Sequence, residues 1–175
     1  MKKIVAILVL SLFFVSCNSP APLEYYKRCV LNTVYVQHYG TAEILEILQT
    51  PPLKYDESKK NFDTVSYQQI IRGKIEYAKT LLQDVERLKV TTDAKDMVAA
   101  SKDALNTAIK GEQQYYLQLA AMKDNKADSV EIRSNVFRLL ENPEKAFQQK
   151  MDLLWGYGKI YADANGIDLS LEKKK

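Results

Sequence analysis

Residues 66 to 88, SYQQIIRGKIEYAKTLLQDVERL, decide the fold class of this chain. Ile71, Ile75, Ala78, Leu82 and Val85 recur at intervals of three and four, and Leu81 and Leu88 widen the seam. That is one face of an α-helix, not the alternation of a strand. Ser66 and Gln69 have the spacing of a capping box, which places the helix start near Asp63 or Ser66. The same period extends outward in both directions. Before it, Leu23, Val30, Val34, His38, Thr41, Leu45 and Leu48 form one helical face, which Pro51-Pro52 must end, and the polar stretch to Asn61 reads as the longest loop. After it, Val90-Thr91-Thr92-Asp93 supplies a turn and a cap. A third helix then runs to about Lys123 with Val98, Ala104, Ala108, Gly111, Tyr115, Leu119 and Met122 inward. A fourth runs from about Ser129 to Asn165, with Gly166 as its stop and Phe147, Met151, Leu154, Gly158 and Tyr161 on its stripe. Asn142-Pro143-Glu144 predicts a kink or restart inside it, because proline has no N–H to donate. No segment of useful length alternates with period two. The expectation is an all-α, up-down-up-down four-helix bundle over residues 23–169, with the last helix kinked or broken near Pro143 and essentially no sheet.

Composition agrees with one folded domain. The 175 residues are 46% apolar and 27% charged, too apolar for disorder, and 6 Gly with 5 Pro exclude Gly/Pro-rich low-complexity character. One His and two Cys leave little for zinc fingers, His clusters or a disulfide framework. Di-iron bundles need Glu-x-x-His motifs that this chain lacks.

The N-terminal 17 residues, MKKIVAILVLSLFFVSC, are two lysines, a twelve-residue stretch from Ile4 to Val15 broken only by Ser11, and a small residue before cysteine. A stretch of that length falls short of the roughly 20 residues a spanning helix needs, and the pattern is that of a secretory signal. Its end, Phe14-Val15-Ser16-Cys17, resembles the lipobox of bacterial lipoproteins, with Phe14 in place of the usual Leu. The resemblance implies cleavage before Cys17 and acylation of that residue. It divides the chain into a signal peptide (1–16), a Pro-containing tether (17–22), the helical domain (23–169) and a basic tail (170–175). Several acyl chains anchor a protein stably where one does not. By the same resemblance, the absence of acidic residues directly after Cys17 favours the outer membrane, with the domain facing the periplasm. Lys2 and Lys3 are the only charged residues before Cys17, so the chain from Cys17 carries 23 basic against 22 acidic side chains. That balance offers no footprint for nucleic acid.

Chemistry-bearing residues are few. His38 lies on the predicted apolar face and reads as an interior or half-buried histidine. Glu43 with Glu46, and Asp93 with Asp96, read as surface and capping groups. Cys29 reads as a buried, inert thiol, the alternative being an intermolecular bridge. Asp63-Thr64-Val65 and Asp128-Ser129-Val130 resemble short Asp-Ser/Thr-apolar glycosylation sites and serve equally as helix caps. Trp155-Gly156-Tyr157-Gly158-Lys159 has no strand before it, as a phosphate loop requires, so its glycines read as thinning a helix for packing.

The informative surplus is eleven tyrosines. Tyrosine joins a large apolar area to a polar tip and suits clefts and interfaces. Tyr25, Tyr26, Trp155, Tyr157 and Tyr161 are expected at the tethered end, and Tyr67, Tyr115, Tyr116 and Phe137 at the far end. Tyr115 and Tyr116 rank first as partner contacts, and Trp155 and Tyr157 first as core or lipid-side packing. The functional expectation is a non-catalytic, lipid-anchored helical module of the cell envelope that binds a protein partner or small ligand, with no cofactor and no metal. The alternatives are a structural lipoprotein that holds a complex at the membrane and, third, an envelope hydrolase.

Overall fold

The computed structural model describes residues 20–169; the expected signal peptide (1–16), Cys17 and the basic tail (170–175) lie outside them. The described chain is mainly helical, with one small two-stranded sheet. Tyr67–Glu86 (α3) is the helix read most directly from sequence. Ser66 accepts from the Gln69 amide, the Gln69 side chain accepts in return from the Ser66 amide, and Ile71, Ile75, Ala78, Leu81 and Val85 are buried. Its first turn carries a second cap from a distance: the Asp124 carboxylate accepts from the amides of Tyr67 at 2.8 Å and Gln68 at 3.1 Å.

The first helical run is composite, where one continuous face was expected. Pro22–Tyr26 (α1) passes into a π-helical turn at Lys27–Leu31, a 3₁₀ segment at Asn32–Val36, a break at Gly40, and then Thr41–Gln49 (α2). A π turn inserts residues into the helical period and a 3₁₀ turn tightens it, so the buried line shifts away from the one that a constant 3.6 period gives. The inward residues are Tyr25, Tyr26, Cys29, Val30, Thr33, Val36 and Tyr39, whereas Leu23 and His38 are exposed. Cys29 is fully buried, and burial pushes its thiol up to about 12.

The expected loop after Pro52 contains a hairpin, which corrects the absence of sheet. Leu53–Asp56 (β1) pairs antiparallel with Asn61–Thr64 (β2), and Asp56 closes the turn by accepting from the Ser58 amide and hydroxyl. Four-residue strands are too short for their alternation to stand out against helical signals. The Tyr55 and Phe62 rings meet edge to face across it, 5.2 Å between centroids.

Lys95–Gly111 (α4) begins at Ala94 with no side-chain cap, so Asp93 is not the cap that the sequence suggests; it accepts from Asn165 instead. The run continues through a π segment, Glu112–Tyr116, into Leu117–Asp124 (α5). Alanines and Gly111 let neighbours close in on α4: a Cβ at Gly111 would fall 2.0 Å from the Tyr39 hydroxyl. Ser129–Ala164 (α6) is capped by Asp128 and runs through Pro143 without the expected break. Phe147, Met151, Leu154, Gly158 and Tyr161 face inward as read. Neighbouring packing on both sides of the proline, through buried Leu140 and Phe147, holds the helical path despite the missing donor. Gly166 at φ 65° ends α6 in a Schellman turn, Ile167 donating to the Ala162 carbonyl at 2.9 Å.

Tyr25 donates to the Lys89 carbonyl, and its ring lies 6.4 Å from that of Tyr161. Those residues, with Asp93 and Asn165, gather at one end, and the contact of Asp124 with the start of α3 marks the other.

Candidate functional site

Three irregularities converge at one level of the molecule: the break at Gly40, the π segment of Glu112–Tyr116, and the stretch after Pro143. Gly40 adopts φ 153° and ψ −164°, a conformation essentially reserved for glycine, and Glu144 occupies the space where a side chain would be. Its peptide is gripped by Tyr116, whose hydroxyl accepts from the Gly40 amide at 2.7 Å. The single Tyr116 proton is shared between the Gly40 carbonyl at 2.9 Å and Glu43 Oε2 at 3.0 Å. Glu144 Oε2 accepts from the Thr41 amide at 2.8 Å and so caps α2 from across the core. Tyr39 stacks on Tyr116, centroids 5.3 Å apart, and meets Phe147 edge on at 5.2 Å.

Beside this aromatic stack lies a charged cluster. The Lys74 ammonium is 2.8 Å from Glu43 Oε1 and 3.3 Å from Glu112 Oε1, and it sits 4.6 Å from the centre of the Tyr35 ring. Glu112 is fully buried. Apart from this long contact with Lys74, neither Glu112 oxygen has a hydrogen-bond partner among the described residues, and the Tyr39 hydroxyl has none. Burial pushes the Glu112 carboxyl up to about 7; Lys74 opposes that rise and the Glu43 charge adds to it. Burial pulls on Lys74 the other way, yet the two carboxylates win and raise its pKa. Burial likewise raises the Tyr39 and Tyr116 hydroxyls, so both stay protonated throughout the physiological range.

Glu43, expected at the surface, is therefore part of a buried network. Glu112 and Lys74 were not singled out from sequence, although each interrupts an apolar seam: Glu112 follows Ala104 and Ala108, and Lys74 sits between Ile71 and Ala78. A charge on a seam was the available signal.

The expected aromatic contacts separate. Tyr116 is fully buried and offers no face to a partner, and Tyr115 is half-buried beside it. Trp155 and Tyr157 are 40% and 37% exposed, so neither is core. Trp155 lines a surface groove of about 330 Å³ with His38, Tyr39, Glu144, Gln148 and Met151. The groove's inner wall is thus the outer side of the Gly40 junction. His38 meets Gln37 there at 3.1 Å. Among the described residues, no group of three or more His, Cys, Asp or Glu is placed to hold a metal, and no helix is long and apolar enough to cross a membrane. No family model, curated protein or solved structure matches the chain.

Proposed function

We propose that the protein is a lipid-anchored, non-catalytic helical module of the bacterial cell envelope, and that it binds a small ligand or a protein segment in the groove beside Trp155. The observation that carries the anchor is the Phe14-Val15-Ser16-Cys17 lipobox, five residues ahead of the first helical residue, Pro22. What supports binding is the juxtaposition of a half-exposed indole with His38, Glu144 and Gln148 against a wall braced by Tyr39 and Tyr116. An aromatic plane with a few convergent polar groups is the usual make-up of a recognition site. The reading includes an up-down-up-down arrangement of the runs 22–49, 67–86, 95–124 and 129–164, supported by the contacts of Tyr25 with Lys89, Tyr67 with Asp124 and Asp93 with Asn165 at alternating ends. It places the domain on the periplasmic side of the outer membrane.

Two measurements test it. The intact mass of the N-terminus should show cleavage before Cys17 and added acyl chains, and Cys17→Ala should abolish both; an unmodified wild-type N-terminus overturns the anchor. Envelope pull-downs with mass spectrometry should lose their specific partner or co-eluting small molecule on Trp155→Ala, while Tyr115→Ala has little effect. Equal capture by the Trp155 variant and the wild type overturns the groove.

A further inference from the structure

The outer face of α6 is apolar where water is expected. Leu153, Tyr157, Ile160 and Ala164 recur at intervals of four, three and four and are all exposed, Ile160 at 66% and Leu153 at 57%. They lie on the side of α6 away from the buried Met151, Leu154, Gly158 and Ala162, and the stripe contains no charged side chain. Exposed apolar side chains aligned on one helix face are the kind of feature that marks an interaction surface.

Its position bears on the occupant. Tyr161, next to Ile160, faces Tyr25, and a Cβ on Gly158 would touch Val30 and Tyr26, so this half of α6 runs beside the first helical turns. Four residues separate Cys17 from Pro22, a contour of at most about 18 Å. Leu23, 46% exposed, stands at the start of α1, and Val90, 50% exposed, follows the Lys89 carbonyl that Tyr25 grips. Exposed apolar side chains therefore gather at the end from which the acylated residue would hang. Tyrosine with aliphatic neighbours is also the composition of helices that lie in a membrane interface.

We infer that the Leu153–Tyr157–Ile160 face of α6 seats on the phospholipid interface, as a second membrane contact beside the N-terminal lipid. The inference rests on the anchored reading, and two separate measurements tell their failures apart: the N-terminal mass reports the anchor, whereas vesicle binding by an unacylated chain reports the face. The chain from Asn18 onward, which keeps every residue of the described fold, is mixed with vesicles of phosphatidylethanolamine and phosphatidylglycerol. It should co-sediment with them. Leu153→Asp with Ile160→Asp should lower partitioning by about tenfold or more, while circular dichroism stays unchanged because both positions face outward. Gln118→Ala, an exposed position on α5 outside both the groove and the face, should partition like the wild type. Equal partitioning of wild type and double variant overturns the proposal, as does a wild-type chain that stays in the supernatant. Concentration-dependent dimerisation without lipid that the double variant abolishes would assign the face to a second copy of this chain and would equally overturn it.

Discussion

Two regions of this protein invert the usual distribution of polarity. At the level of Gly40 the interior holds Glu112, Lys74 and Glu43, and along the outer face of α6 the surface holds Leu153, Tyr157 and Ile160. The buried region costs desolvation and is tolerated because every charge sits against another. The exposed region costs nothing in the fold itself and asks for an outside partner. Leu153 and Leu154 show the boundary within one helix, the first 57% exposed and the second completely buried. Stability should therefore answer to the inner region and association to the outer one.

The largest effect is expected from Lys74→Met. It leaves Glu43 facing Glu112 without a counter-charge, and breaking a buried pair in this way costs about 3–5 kcal/mol. Denaturant unfolding at pH 8 should show the full loss, and unfolding at pH 5 a smaller one, because Glu112 is then protonated.

Next comes Glu112→Gln. The folded carboxyl titrates at about 7 against an ordinary value of 4.5, so the folded state binds the proton more tightly than the unfolded chain does. Its stability contribution is fully present below pH 4.5 and is lost as pH rises through about 7. Wild type should lose roughly 3 kcal/mol from this group between pH 4.5 and pH 8. The glutamine variant should lack that slope and be the more stable of the two at pH 8; parallel pH profiles would show that Glu112 is not held as described.

Lys126→Gly is a smaller test. Lys126 sits at φ 60° in the Schellman turn that ends α5, where Ala127 donates to the Met122 carbonyl. A left-handed lysine costs about 1 kcal/mol relative to glycine, so denaturant unfolding should show the variant more stable by about that much. Leu153→Lys should change stability least, within about 0.5 kcal/mol, because the side chain already faces water.

Most of α3 and the inner stripe of α6 were legible because cap and period agreed over many turns: Ser66 with Gln69, and Phe147 through Tyr161. The first run was not, since a π turn and a 3₁₀ segment change the phase that the reading of Val34 and His38 assumed. The unbroken path through Pro143 depends on contacts with other elements, and the hairpin on strands too short to declare themselves. Glu43, Lys74 and Glu112 come from three different helical segments, so their meeting is a property of the packed fold and not of any one stretch. Trp155 and Tyr157 could be singled out as large and amphipathic, but which side of α6 each takes followed only from counting turns relative to Leu154 and Gly158.

The double cap at the head of α3 bears on the order of folding. Gln69 is satisfied by Ser66, three residues away, and that bond can form as soon as the first turn nucleates. Tyr67 and Gln68 wait for Asp124, 57 and 56 residues later in the chain, and closing so long a loop carries an entropic cost that other contacts must already have met. One helix end thus carries an early clasp and a late one. The late clasp ties the start of α3 to the end of α5, so that the two ends should close together as one of the last steps of assembly and open together as one of the first steps of its loss.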